Sequence, residues 1–461
     1  MDYDVIVIGA GAAGEAAGSL GGQLGAKVAV IERDLVGGQC SFWACLPSKT
    51  LLDSAERRAV GAEYPWERAS ARRDWMISRE GTDYPDDRSH VSAQEAAGAE
   101  VIRGTARVVS PGRVEVRNGG RARTLETRNV IVCIGSHPNI PPVEGLEETG
   151  YWTSPTVTSL RELPSSLVMM GGGVVGVELA QAYARFGVKV SLVEATDRIL
   201  PREHPRTAEI LSAQLREEGI EVHTGCRAVA VRAEGPGKLV ELSNGNRVEG
   251  AELMVAVGRR PNDLRQLGVE EGGVRLDERG TVKHDDQMRV ADGIFVAGDI
   301  AGGLQFTHVA DYEGRVAVRA ALGQGVRAHL TTVPRTSFTD PETSGVGLRL
   351  EEAREQAVEA EEFTADFSTS ARGFTIEPHR RSEKAILEGS AGHITVVADR
   401  ERKILVGAFA TCPGASELIH EAVLAIKQEI PVWVLADTMH AFPTGARVFG
   451  NLMADVAAQL G

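Results

Sequence analysis

The chain has 461 residues, 43% hydrophobic and 25% charged, with 64 acidic side chains against 50 Lys and Arg and a formal net charge of −14. That size suggests about three domains of roughly 100–200 residues each, and the acidic balance repels a nucleic-acid backbone. The longest apolar run, near Leu253 to Val257, is far short of the roughly 18 residues that span a bilayer, so neither nucleic acid nor membrane is expected as a partner. The first residues, Met-Asp-Tyr-Asp, lack the basic and apolar regions of a signal peptide, which points to a cytoplasmic protein. Five cysteines do not make a disulfide framework in a chain of this length, so a close pair points to chemistry.

In chain order, Asp4 to Ile8 is a continuous apolar strand of the doubly covered parallel kind. Gly9-Ala10-Gly11-Ala12-Ala13-Gly14 follows and opens a small-residue helix, and a second strand, Val28 to Ile31, ends in Glu32. Glycines admit a pyrophosphate to the helix N-terminus and the acid accepts a ribose hydroxyl, so this is a dinucleotide fingerprint. Next comes Gly37-Gly38-Gln39-Cys40-Ser41-Phe42-Trp43-Ala44-Cys45-Leu46-Pro47-Ser48-Lys49. A distorted helical turn can bridge cysteines at this spacing. A zinc half-site and two buried thiols are the other readings, although Cys133, Cys226 and Cys412 are scattered singly and offer no matching ligands. Residues Gly61 to Ala99, with Trp66, Trp75 and Tyr84, fit no motif.

The fingerprint recurs downstream. Leu167 to Met170 leads into Gly171-Gly172-Gly173-Val174-Val175-Gly176, and Val190 to Val193 ends in Glu194. Two dinucleotides are implied. A carboxylate at Glu194 suits the free hydroxyls of NADH and repels the extra phosphate of NADPH, a preference that Arg198 nearby would soften.

The cysteine segment after a glycine-loop strand resembles the class I pyridine nucleotide-disulfide oxidoreductases, the group of lipoamide dehydrogenase, glutathione reductase and mercuric reductase. Gly258-Arg259-Arg260-Pro261-Asn262 is similar to the family's GRxPN loop, and Ile294 to Asp299 to the strand whose Asp meets FAD. Phe338 to Glu342 and Gly414 to Ile419 resemble parts of its C-terminal dimerisation domain. The resemblance implies an α/β fold with two Rossmann-like dinucleotide-binding domains plus a C-terminal α+β dimerisation domain. The expected boundaries are 1–150 for the first part of the FAD domain, 151–270 for the NAD domain, 271–332 for the returning FAD segment and 333–461 for the interface domain. An obligate homodimer is expected with it.

Carried over by position, Cys40 and Cys45 form a redox disulfide, with Cys45 facing the flavin and Cys40 the substrate. Lys49 would lie by flavin N5 with Glu178 as its ion-pair partner. Gly9, Gly11, Ala13, Gly14, Glu32, Gly38, Gln39, Ala106, Gly135, Ser136, Gly258, Asp299 and Ala310 would serve FAD and the loops around it. Gly171, Gly173, Gly176, Glu178 and Glu194 would serve the nicotinamide nucleotide. The resemblance implies no metal site.

One segment departs from the family. Its disulfide reductases supply a His-Pro-Thr-x-x-Glu stretch whose His relays the dithiol's proton, and this chain reads His440-Ala441-Phe442-Pro443-Thr444-Gly445-Ala446-Arg447. Phe442 stands at the base position and Arg447 at the glutamate position, and such a group commonly contributes about 10²–10⁴ in rate. The reading favoured here is a small-molecule acceptor that needs no proton relay: an electrophile, a quinone, a metal ion or an unusual disulfide. Mercury itself is disfavoured, because the chain ends Gln459-Leu460-Gly461 without the cysteine pair of mercuric reductase. Arg447 would bind an anion or stabilise a thiolate. The alternatives are rescue by His440 as the base, thiolate cleavage of a carbon–sulfur bond as in 2-ketopropyl coenzyme M oxidoreductase/carboxylase, and a catalytically idle flavoprotein subunit.

Overall fold

The computed structural model describes residues 1–78, 84–375 and 392–461, and the chain divides into two compact units. The first comprises Met1–Pro47, Ala71–Asn139 and Gly258–Leu330; the second comprises Ser48–Ser70, Ile140–Val257 and Thr331–Gly461.

In the first unit, strand β1 (Tyr3–Ile8) sits between β2 (Val28–Glu32) and the strand Arg121–Val132, parallel to both. Ala99–Arg103 extends the parallel sheet beyond β2, and Ile294–Val296 extends it on the other side. Successive β1 side chains feed two cores. Ile6 and Ile8 pack with Val108, Val114 and Ile294, while Val5 and Val7 pack with Ala13, Ala17 and Ala317. A strand covered on both faces must be apolar throughout, which is why this one reads as a continuous run. Helix α1 (Ala12–Gln23) buries Ala13, Gly14, Ala17 and Gly18. These small residues let it lie close to the helix Thr307–Ala321, where a Cβ at Gly314 would stand 2.2 Å from the Ala13 carbonyl oxygen.

The second unit repeats the plan. Strands Glu221–His223, Lys189–Val193, Ser166–Met170 and Glu252–Val255 form a parallel sheet in that order, next to a three-stranded antiparallel sheet. Its C-terminal part is a five-stranded antiparallel sheet with the helices Ala415–Lys427 and Gly445–Leu460 packed on it. The α/β class with two Rossmann-like folds and a C-terminal α+β domain is thus the observed architecture. Among the described residues, no helix is long and apolar enough to cross a membrane.

The units break after Asn139 and after Val257, where strand Ser136–Pro138 pairs with Arg259–Pro261 inside the first unit. The unassigned stretch 61–99 forms the helices Trp66–Ser78 and Arg88–Ala96, with residues 79–83 outside those described. Trp66 is a core residue, packed on Tyr183 and Phe186 with its indole N–H donating to the Arg161 carbonyl (2.9 Å).

Candidate functional site

Both glycine loops are built on the same backbone plan. Gly9 and Gly171 take positive φ angles of 95° and 114°, a region open to glycine at little cost. A Cβ at Gly14 would stand 1.9 Å from the Gly9 carbonyl oxygen, and one at Gly176 would stand 1.8 Å from that of Gly171. Only glycine closes either turn. At Gly11 and Gly173, by contrast, a Cβ would meet nothing within 4 Å, and neither residue, as helix N-cap, makes a side-chain cap bond. Open space and uncapped helical N–H groups at the positive end of a helix form an anion cradle.

The two acids are also held alike. The Glu32 carboxylate accepts from the Ala10 N–H (2.8 Å) and the Asp34 N–H (2.7 Å), and that of Glu194 accepts from Gly172 (2.6 Å) and Thr196 (2.8 Å). Each therefore sits at the lip of its own loop.

The cysteine segment docks on the first loop. The Gly37 N–H donates to the Ala10 carbonyl (2.7 Å), and a Cβ at Gly38 would lie 2.7 Å from the Gly11 Cα. Cys40 lies on α2 (Gly38–Phe42) and Cys45 opens α3 (Cys45–Ala59), so the pair joins two short-spaced helices instead of sharing one distorted turn. Sequence reasoning missed what lies against the pair. The Thr307 hydroxyl donates to Cys40 Sγ (3.1 Å) and is 3.2 Å from Cys45 Sγ.

A second missed residue is Arg259. Its guanidinium donates to the Gln39 side chain (2.5 Å), the Ser136 carbonyl (2.6 Å) and the Ser136 hydroxyl (2.7 Å), and it pairs with Asp299 at 3.8 Å. Burial pulls Arg259 below its ordinary value, while the charges of Asp299 and Cys45 pull it back up. Ser136 in turn donates to Asp299. Gly135 and Gly258 both have positive φ and open space around them, Ala106 is a core side chain, and Ala310 is buried near Gly298 and Ala13. Glu313, a third missed residue, accepts from the Gly298 N–H (2.7 Å), and burial pushes its carboxyl up to about 7 against that bond.

In the second unit Lys49 Nζ pairs with Glu178 at 2.7 Å, with side-chain exposures of 33% and 3%. The Phe338 N–H donates to the other Glu178 oxygen (2.8 Å), and its ring lies 5.0 Å from Lys49 Nζ. Changing Glu178 to Gln keeps the acceptor for Phe338 but leaves the ammonium uncompensated. We expect a loss of about 1–3 kcal/mol in chemical denaturation and slower reduction of bound flavin by NADH in stopped-flow absorbance.

The C-terminal loop presents Phe442 with 74% of its surface exposed, while Arg447 is exposed in the first turn of the helix Gly445–Leu460. His440 faces the other way. Its side chain is 5% exposed, its Nε2 lies 2.9 Å from Glu421 Oε1, and a Cβ at Gly450 would stand 2.3 Å from its Nδ1.

Two nucleotide cradles, each ending in an acid, with a cysteine pair laid against the first, define a two-nucleotide oxidoreductase. Residues 3–314 match the family model described as pyridine nucleotide-disulphide oxidoreductase, and residues 333–453 match the dimerisation domain of that family. The chain is 36% identical over 455 residues to a dihydrolipoyl dehydrogenase of Thermus scotoductus, covering 96% of this chain and 95% of that one. A mercuric reductase of Streptomyces lividans is 32% identical over 458 residues, with 96% and 94% covered. The Cu(II) complex of the HOCl-induced flavoprotein disulfide reductase RclA from Escherichia coli superposes with a TM-score of 0.86 at 25% identity, covering 99% of this chain and 100% of that one. The chain belongs to the pyridine nucleotide-disulphide oxidoreductase family. It is a flavoprotein oxidoreductase that uses FAD and a pyridine nucleotide, and its dimerisation domain supports a homodimer. The open cradle at Gly11, with Glu32 at its lip, fits the pyrophosphate and ribose of FAD.

Proposed function

We propose that this protein carries electrons from NADH through FAD to the Cys40–Cys45 pair and on to an acceptor that requires no imidazole relay. The observation that carries this reading is the C-terminal loop, where Phe442 is the exposed group at the base position and His440 is turned into the fold against Glu421. Rescue by His440 would break its contact with Glu421 and draw a buried ring out of its seat. When bound, FAD supplies the hydride acceptor and electron donor that connect the nucleotide with the sulfurs. Gln39, Ser136, Arg259 and Asp299 would orient FAD within the first unit, and by resemblance Lys49, paired with Glu178, supplies a cation for the flavin ring. Glu194, its carboxylate fixed on the Gly172 and Thr196 N–H groups, favours NADH by repelling a 2′-phosphate. Cys45 is the flavin-facing sulfur and Cys40 the outward one. Arg447 and Phe442 serve a partner subunit's cysteine pair, which makes the homodimer obligatory.

Thiolates favour copper in its reduced Cu(I) form, so a dithiol is suited to reduce Cu(II), and the Cu(II) complex of RclA puts that ion first among the acceptors, with quinones next. The test is anaerobic titration with NADH and with NADPH, followed by reoxidation with Cu(II), menadione, oxidised glutathione and lipoamide. The expected result is reduction by NADH at a lower concentration than by NADPH, a long-wavelength thiolate-to-flavin band, and reoxidation by Cu(II) or menadione ahead of either disulfide. Prompt turnover of lipoamide or oxidised glutathione at neutral pH would sink the reading.

A further inference from the structure

We propose that the Thr307 hydroxyl is the proton bridge between Cys40 and Cys45, passing one proton from sulfur to sulfur inside the chain where the family's relay would use an imidazole. The inference rests on the function proposed above and supplies its missing step. NADH delivers two electrons and one proton, so a reduced disulfide becomes one thiol and one thiolate that share a single proton. A hydroxyl has one proton to donate and lone pairs to accept with. Here it donates to Cys40 Sγ at 3.1 Å, which leaves its lone pairs for an S–H of Cys45 at 3.2 Å.

A concerted shift then balances. The S–H bond of Cys45 breaks as an O–H bond forms on Thr307, while the original O–H bond of Thr307 breaks as an S–H bond forms on Cys40. The charge has moved from Cys40 to Cys45, and the hydroxyl is restored. Running backwards, the same shift returns the thiolate to Cys40, the sulfur that attacks or ligates the acceptor. Threonine never holds a net charge, so it needs no tuned basicity. Two features favour an anion at this place. Thr307 is the first residue of a 15-residue helix, at its positive end. Arg259 lies close enough to feel the charge of Cys45. When an oxidant takes the electron pair, the sulfurs rejoin and the shared proton leaves to solvent.

The test compares Thr307→Val, which keeps the shape and removes the hydroxyl, with Thr307→Ser, which keeps the hydroxyl. Both FAD-loaded variants are reduced with one equivalent of NADH, then either alkylated with iodoacetamide and mapped by peptide mass spectrometry or reoxidised with 5,5′-dithiobis(2-nitrobenzoate). For Thr307→Val we expect flavin reduction within about twofold of wild type, with alkylation at Cys40 and reoxidation each slowed about a hundredfold or more, the low end of a proton-transfer effect. Thr307→Ser should recover both to within about threefold. A valine variant that retains FAD and matches wild type in alkylation and reoxidation overturns the bridge. If NADH fails to produce the dithiol in wild type, the parent reading falls and takes the bridge with it.

Discussion

Cys40→Ser and Cys45→Ser proteins, each purified with FAD, should still accept electrons from NADH but lose dithiol-dependent turnover by roughly 10³-fold or more, since neither sulfur can be reoxidised without the other. The two variants part on spectroscopy. Cys45→Ser should lose the long-wavelength thiolate-to-flavin band, whereas Cys40→Ser leaves Cys45 as the sole thiol and should show the band without further reduction. The different roles of the two sulfurs come from the resemblance, and one hydroxyl touching both sulfurs supports their acting as a pair. Full turnover in both variants, with Cu(II) or menadione as acceptor, would mean that electrons leave directly from the flavin and that the pair is a spectator.

The glycine loops give the second large effect. Gly14→Ala places a methyl group 1.9 Å from a backbone oxygen, a clash no side-chain rotation relieves. Overpacking of that kind costs about 1–3 kcal/mol, and losing a ligand present at a hundred times its Kd removes about 2.7 kcal/mol more. The protein should purify without flavin colour and melt early. Gly176→Ala meets the same obstacle in the second loop, at 1.8 Å, and should keep its flavin while losing reduction by NADH. Gly11→Ala is the control, since its methyl group meets nothing in the protein. It should fold with wild-type stability in the absence of FAD and bind FAD weakly. Wild-type flavin content in Gly11→Ala would mean that the pyrophosphate does not lie at that helix end.

Much of this was legible in sequence because backbone geometry forces the residue type. A turn with φ near +95° or +114°, or a helix position where a Cβ would stand within 2 Å of a carbonyl oxygen, admits glycine at little cost and other residues with strain, so the loops at Gly9 and Gly171 announce themselves. The strand before each loop is apolar on every side because it is covered on every side, and Glu32 and Glu194 stand at fixed distances after them. The departure at Phe442 and Arg447 was legible for the same reason, against the fixed frame of Pro443 and Thr444.

Other parts of the site had no local pattern to show. Thr307 stands 267 residues from Cys40, and only the packing of its helix on α1 brings its hydroxyl to the two sulfurs. Arg259 reaches Gln39 because strand Arg259–Pro261 pairs with Ser136–Pro138, a pairing of three residues that no periodicity signals. Phe338 acts on Lys49 and Glu178 partly through its backbone N–H, which every residue but proline possesses. His440, two positions from the expected base, was equally available on paper until Glu421 and Gly450 fixed its ring. The sequence by itself determined the two nucleotide folds, the cysteine pair and the missing relay, each of them a local constraint on backbone or residue type. What surrounds the sulfurs was decided only by tertiary structure, because ordinary polar side chains acquire their roles from neighbours that the chain brings in from far away.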